Sequence, residues 1–324
     1  MLLTIGIPTY NRADDVLHTL RDVLAHADSE LVDIVVIDDG SSDGTYGRLT
    51  EDPEIARRVR VLRNAANLGY ARTFARLFDE CQTDYLMLMA DDDQVITESI
   101  QPLLDYLGND RPTFVSPQFI RESRISRGRT TTESIAPRDF LKASAHAPGL
   151  IYRVEDCRAG LEELLDRAEA EEVDALVYPQ VHLVMRALLA ERKCEWLALP
   201  TVTEGAYRPS GIRDADGGAY WSLESRWKQL KTYDALLAGY VETDTTGRAL
   251  EMLSAYRAGA FHMIARAIRM ENPALGDAFD DGARRRYEKR ESGGIGEARQ
   301  QRGGFANLRI VKWAARKTRH LRHR

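Results

Sequence analysis

A chain of 324 residues, 44% hydrophobic and 29% charged, can bury a sizeable core, which excludes a disordered protein, and none of its apolar runs approaches the ~18 residues of a membrane span. The formal net charge of −5 is uneven: the stretch from Arg299 to Arg324 carries +9 and no acid, so the other 298 residues carry −14, which argues against a nucleic-acid binder and confines attraction to anionic surfaces to one end. Cys81, Cys157 and Cys194 are too few and too scattered for a disulfide framework or a CxxC metal pair, and the N-terminus has no basic leader, so a reduced, cytoplasmic protein is expected.

Five short apolar runs are predicted as strands: Leu2–Ile7, Ile34–Asp38, Val59–Leu62, Tyr85–Ala90 and Thr113–Ser116. Between them Val16, Leu20, Val23 and Leu24, and then Ala71, Phe74, Leu77, Phe78 and Cys81, recur at helical spacing. Strands alternating with such helices predict a parallel sheet covered by helices, whose ligands sit beyond the carboxyl ends of the strands. Arg121–Arg138, rich in Arg, Ser and Thr, reads as a surface loop. The chain then becomes mainly helical, with stripes through Leu161, Leu164, Leu165 and Ala168 and through Val181, Val184, Leu188 and Leu189, before a short strand at Cys194–Leu199. A loop containing Gly205, Pro209, Gly211, Gly217 and Gly218 precedes two long helical patterns. The first runs through Leu223, Trp227, Leu230, Tyr233, Leu237 and Tyr240, the second through Leu250, Leu253, Phe261, Ile264 and Ile268. There is no internal repeat.

Three polar motifs fall at predicted strand ends. Pro8-Thr9-Tyr10-Asn11-Arg12 closes the first strand and leads into a helix, exposing donors to a ligand. Asp38-Asp39-Gly40-Ser41-Ser42-Asp43-Gly44-Thr45 follows the second, its paired carboxylates able to accept hydrogen bonds from a base or ribose. Asp91-Asp92-Asp93 follows the fourth; on extended backbone Asp91 and Asp93 point the same way, and three adjacent carboxylates are most simply compensated by Mg2+ or Mn2+ shared with a diphosphate. Taken singly, the Asp-Gly motif is an ordinary solvated turn and the aspartates can cap the helix through Ile100, Leu103 and Leu104. Their order and their positions favour one ligand site. A dinucleotide-binding oxidoreductase is excluded because GxGxxG is missing after the first strand, and a sugar-nucleotide-forming nucleotidyltransferase because a Gly-rich basic loop is missing there.

Together with Asn67-Leu68-Gly69, these motifs (IGIPTYNR at 5–12, VIDDGSSDGT at 36–45, MADDD at 89–93) resemble the successive signatures of family 2 glycosyltransferases of the GT-A fold. The resemblance implies an α/β nucleotide-diphospho-sugar transferase domain over 1–215, while helical spacing and charge set off a mainly helical C-terminal lobe over 216–298 and a basic tail over 299–324. It implies that Pro8, Thr9, Tyr10 and Arg12 line the nucleotide pocket, that Asp39 binds the base, that Asp91 and Asp93 are the metal ligands of a DxD motif, and that Asp92 lies beside the sugar or diphosphate. A nucleotide-sugar donor, inversion at the anomeric carbon and a glycan, lipid-linked or small-molecule acceptor, as in polysaccharide biosynthesis or secondary metabolism, follow from it.

The second half departs from the family pattern. Where an acidic pair usually precedes a helix and supplies the base, this chain has Gln180 and His182. Asp174, with Glu172 just upstream, is therefore the first choice for the base, and His182 the second, either as base or as a further metal ligand. The alternative is a catalytically inactive nucleotide-sugar-binding or scaffold protein. Gly205–Gly211 resembles a loop that closes over the diphosphate with Arg208, and Trp221 and Trp227 either floor an acceptor site or pack in a core. From Phe305 onward Arg309, Lys312, Arg316 and Arg319 share one helical face opposite Ile310, Ala314 and Leu321, so the tail either contacts an anionic membrane peripherally, at the inner face, with Trp313 at the interface, or is a solvated basic tail. The C-terminal helices offer apolar surface for a homodimer.

Overall fold

The computed structural model describes residues 1–26, 31–205 and 222–271, and the chain divides into two units, Met1–Gly211 and Ile212–Arg324. The first unit opens with β1 (Leu3–Thr9), α1 (Ala13–His26), β2 (Val32–Asp38), α2 (Thr45–Glu51), α3 (Pro53–Arg58), β3 (Arg60–Arg63), α4 (Tyr70–Glu80) and β4 (Tyr85–Leu88). It continues through β5 (Gln94–Val95), α5 (Ile100–Asp110), β6 (Phe114–Arg121), β7 (Arg124–Arg127), β8 (Glu133–Ser134), α6 (Phe140–Ser144), β9 (Leu150–Arg153), α7 (Val154–Glu169), α8 (Val173–Val177), α9 (Pro179–Leu189) and β10 (Cys194–Thr203).

One sheet runs β3-β2-β1-β4-β9-β6-β10-β5, with β7 added to β6 and β8 to β10. Leu3, Ile5 and Ile7 of β1 are buried with Val16, Leu20 and Val23 of α1 and Ile100 and Leu103 of α5 in one continuous core. Around β9, Phe74 and Phe78 of α4 pack their rings against Tyr152, at 6.2 and 5.6 Å between centroids, so α4 anchors the middle of the sheet.

Two expectations change here. The sheet is mixed: β9 lies antiparallel to both β4 and β6, since Leu150–Arg153 enters from the loop after α6 and not through a crossover helix. The expected surface loop over Arg121–Arg138 contains β7, which turns back on β6 with Ile120 opposite Ile125. β1 also outruns its predicted end. Pro8 is tolerated inside it because Gly6 accepts from Met89 of the β4 side at 2.9 Å, so the nitrogen of Pro8, two residues on, faces the side where β4 pairing has stopped.

The second unit is described over α10 (Leu223–Thr243) and α11 (Arg248–Glu271). Ser222 caps α10 by accepting from the Ser225 amide. The hairpin closes on Leu230, Tyr233 and Leu237 against Met252 and Tyr256, with the Tyr233 and Tyr256 rings 5.4 Å apart and Arg257 gripping Asp234 at 2.6 and 3.1 Å. Arg208, Trp221 and the basic tail lie outside the described residues.

Candidate active site

β1 stays paired with β2 as far as Thr9 opposite Asp38, while its pairing with β4 stops at Gly6 opposite Leu88. The sheet is therefore open between the carboxyl ends of β1 and β4, where strand order runs outward in both directions, the position at which α/β sheets bind ligands. Thr9 and the aspartates after β4 face each other across this opening. The Thr9 hydroxyl donates to Asp91 Oδ2 at 2.8 Å, and Arg12 places Nη2 2.6 Å from Asp92 Oδ2 and Nη1 3.4 Å from Asp91 Oδ1. Pro8 lies inside β1, and Tyr10, next to Thr9, is 44% exposed.

Asp91 and Asp93 are almost wholly buried, and burial pushes both carboxyls up to about 6; for Asp91 the Arg12 charge and the Thr9 hydroxyl oppose that rise, for Asp93 the Gly205 amide does. Their backbone is clasped by Thr19 of α1, whose hydroxyl reaches the carbonyls of Asp91 at 3.0 Å and Asp93 at 3.2 Å. Gly205 comes in from the end of β10 and donates its amide to Asp93 Oδ1 at 3.2 Å. Only glycine allows this approach, because a Cβ there would lie 1.8 Å from the Asp92 carbonyl oxygen. Thr19 was not legible as a site residue, being a small polar position within an amphipathic helix, whereas Gly205 opens the loop expected to close over the diphosphate.

Asp39 lies beside Thr9, its amide donating to the Thr9 carbonyl at 2.9 Å, but its carboxylate is turned inward. Oδ1 accepts from Asn64 Nδ2 at 2.6 Å and the Leu68 amide at 2.9 Å, and Oδ2 from the Gly69 amide at 2.9 Å. Asp39 thus ties the Asn64–Gly69 loop to the end of β2. Beside it Asp38, fully buried, accepts from the Ser41 amide at 3.1 Å and pairs with Arg63 at 3.3 Å, and Arg63 stands over the Tyr46 ring, 5.6 Å from its centre. Asn11 joins the β1 and β2 loops: its amide donates to Ser41 Oγ and its Oδ1 accepts from the Ser42 amide, both at 2.8 Å, with its backbone in the left-handed region at φ 52°.

The two residues expected to provide a base are placed elsewhere in the fold. Asp174 sits on α8, which packs among α4, α7 and α9, with no exposure and both oxygens held by Arg167 at 2.7 and 3.1 Å. No face of that carboxylate is left for an acceptor hydroxyl. His182 is fully buried within α9, 3.9 Å from Glu163 of α7; among the described residues both its nitrogens lack hydrogen-bond partners, and burial lowers it to about 4, so it is neutral at pH 7. Asp174→Asn should accordingly act on stability. Loss of the ion pair is expected to cost about 2 kcal/mol, below the ~3–5 kcal/mol of a pair with both partners buried because the Arg167 side chain keeps 21% exposure. Chemical denaturation should show that loss; unchanged stability with a collapsed transfer rate would restore Asp174 as the base.

Gln180, where the family usually has an acid, opens α9 with Nε2 on the Ala145 carbonyl at 3.3 Å and a buried Oε1 that accepts nothing among the described residues. Among the described residues no three His, Cys, Asp or Glu side chains converge into a complete metal cage.

A family model described as Glycosyl transferase family 2 matches residues 4–180. The hyaluronan synthase of Streptococcus pyogenes is 32% identical over 104 residues, 30% of this chain and 25% of that protein. The dolichol-phosphate mannosyltransferase of Pyrococcus furiosus is 25% identical over 129 residues, 39% of this chain and 35% of that protein. The chain thus spans a quarter to about a third of the length of these curated relatives. Among solved structures, S. aureus TarS in complex with UDP superposes with a TM-score of 0.57 at 14% identity, over 91% of this chain and 92% of that one. The mannosyltransferase PcManGT of Pyrobaculum calidifontis, in complex with GDP-Man and Mn2+, gives 0.51 at 14% identity, over 97% and 83%.

Proposed function

As a member of glycosyl transferase family 2 with the GT-A fold, the chain is a glycosyltransferase, and we propose that it moves a sugar from a nucleoside-diphosphate donor to an acceptor hydroxyl with a divalent cation at Asp91 and Asp93. The observation that carries this reading is the opening between β1 and β4, where Thr9, Arg12 and three consecutive aspartates meet. The donor set suits Mg2+ or Mn2+. Both carboxylates are hard oxygen ligands, two ligands without a full cage match a cation that completes its shell with phosphate and water, and the ion pairs of Arg12 go to Asp91 and Asp92 and not to Asp93. When bound, the cation neutralises the charge that develops on the departing diphosphate. TarS has been solved with UDP-GlcNAc and PcManGT with GDP-Man and Mn2+, which supports a donor and cation of this kind.

The protein's own part is placement. Thr9 fixes the rotamer of Asp91, Thr19 fixes the backbone of Asp91 and Asp93 together, and Arg12 holds Asp92 at the rim. The proposed reaction is displacement of the diphosphate by an acceptor hydroxyl, in line and with inversion at the anomeric carbon. A second reading, donor binding without turnover, is favoured by one observation: the positions expected to supply a base hold Gln180, a buried His182 and an Asp174 locked to Arg167. Incubation with a panel of labelled nucleotide sugars and Mn2+ decides between them. Donor hydrolysis or transfer supports the enzyme, and binding without either supports the second reading.

The pH dependence follows from the two raised carboxyls. Between about 4 and 6 the native protein holds protons that the unfolded chain has released, so metal-free stability falls as pH rises through that window. Cation binding needs both groups ionised, so stabilisation by Mn2+ should grow from pH 5 to pH 7. Melting temperatures with and without Mn2+ test this; a gap that stays constant over that range counts against both ligands.

The +9 tail is read as a peripheral contact with anionic lipid, which would bring the cleft to a lipid-linked acceptor on the cytoplasmic face of a membrane. No helix of the described residues is long and apolar enough to cross a bilayer. Salt-sensitive sedimentation with anionic but not neutral vesicles is expected, and it should vanish when residues 305–324 are deleted. Equal sedimentation of the two proteins rejects the contact.

A further inference from the structure

The Asp93 side of the cleft carries an unbalanced positive charge. Arg121 and Arg127 both approach the Phe119 ring, with their guanidinium carbons 6.0 and 5.9 Å from its centre. Arg121 is neutralised by Glu204 at 2.8 Å. Arg127 is 6% exposed and has no acidic partner among the described residues: Nη1 donates to the His146 carbonyl at 2.6 Å, Nε to the Pro117 carbonyl at 3.4 Å, and Nη2 to nothing. His146 beside it offers no negative charge, since burial and the two arginines hold it neutral, at about 3. The acid whose charge reaches Arg127 is Asp93, and in the donor reading that charge is engaged by the cation.

The free nitrogen has a definite direction. A Cβ on Gly149 would lie 3.2 Å from Arg127 Nη2 and 3.3 Å from Thr201 Oγ1, and this second buried polar atom also lacks a partner. Both groups therefore converge on Gly149, where the missing side chain lets them stand this close to the backbone. Gly149 donates its amide to the carbonyl of Leu88, the last residue of β4, at 2.7 Å, so the two meet just below the segment that leads to Asp91. A guanidinium nitrogen and a hydroxyl that both face Gly149 match an oxyanion, and a buried cation without a counter-charge is costly until one arrives. A neutral hydroxyl would satisfy the hydrogen bonds and leave the charge.

We infer that Arg127 and Thr201 form a subsite for an anionic oxygen group of the substrate, a phosphate or a carboxylate, on the Asp93 side of the cleft. The inference rests on the glycosyltransferase reading only for calling that group part of a substrate. Both atoms are shut off from solvent in this state, so entry of the anion requires the turn ending in Gly149 to yield.

The test uses the full chain with Mn2+ and saturating UDP or GDP, which fills the diphosphate site, and titrates inorganic phosphate by calorimetry. Wild-type protein should bind phosphate. Thr201→Val should weaken that binding at least fivefold with the melting temperature unchanged or raised, because the hydroxyl it removes has no partner to lose, and Arg127→Gln should abolish it. No phosphate binding by wild-type protein, or equal binding by Thr201→Val, overturns the subsite. If neither nucleotide binds, the donor reading fails by itself, and the same titration on nucleotide-free protein still decides the subsite. Displacement of phosphate by a uronate-bearing nucleotide sugar assigns the anion to the donor; undisturbed phosphate assigns it to the acceptor.

Discussion

Asp93→Asn is expected to lower kcat/KM at least 10³-fold and to make nucleoside-diphosphate binding insensitive to EDTA, with the melting temperature of the metal-free protein unchanged or higher. The stability part follows from the surroundings. Asp93 is 7% exposed, burial opposes its charge, and Asp92 and Glu204 add repulsion, so a neutral amide of the same shape relieves strain. Asparagine Oδ1 can still accept from the Gly205 amide, so the loop contact survives. What is lost is the charge of the proposed cation ligand, and a fall in activity without a fall in stability places the effect in the chemistry. Turnover of the wild-type protein after exhaustive chelation would sink the metal reading. A strongly destabilised variant would mean that Asp93 holds the fold and not a cation.

The order β1, α1, β2, β3, α4, β4 was legible because period and punctuation agreed: β-branched runs ended in Pro8, Asp38 or Asp91, and helices showed apolar residues every third or fourth place. β9 was not. Leu150–Ile151–Tyr152 is buried throughout, so it shows no alternation, and a four-residue strand between two helices leaves little periodicity to read. The hairpin of β7 was hidden for the opposite reason: Arg124, Ile125 and Ser126 are exposed, and only pairing with β6 makes them a strand. The structure brings the motifs after β1 and β4 together, yet the sequence could not say which way a carboxylate turns. Asp91 turns to Thr9 and Arg12, whereas Asp39 turns to residues 25 to 30 positions away. Asp174 illustrates the same limit. Its partner Arg167 lies seven residues upstream, across the turn between α7 and α8, and the resulting ion pair depends on how the two helices fold back.

Asp39→Ala is expected to lose stability and nucleotide affinity together. A carboxylate that only touched the base would change affinity alone, but this one accepts from Asn64, Leu68 and Gly69, and its removal leaves the Leu68 amide and one hydrogen of the Asn64 amide without a partner in a partly buried place. Asn64 keeps Thr73 and Gly69 keeps Asn67 Oδ1, so the expected loss is roughly 3 kcal/mol and not the sum of three broken bonds. Release of the Asn64–Gly69 loop also frees the neighbour of Gly40, whose backbone sits at φ +73° with Ala66 against it, and the wall of the nucleotide pocket should move with it. Binding of nucleoside diphosphate is therefore expected to fall about 10²-fold, as a misplacement of about 1 Å does. Asp39→Asn should rescue little, because its Nδ2 would confront the Gly69 amide in one orientation and the Leu68 amide and Asn64 Nδ2 in the other, donor against donor. Denaturation and calorimetry on the two variants separate the possibilities: full stability with weakened binding would return Asp39 to the base, and a joint loss assigns it to the loop that shapes the pocket.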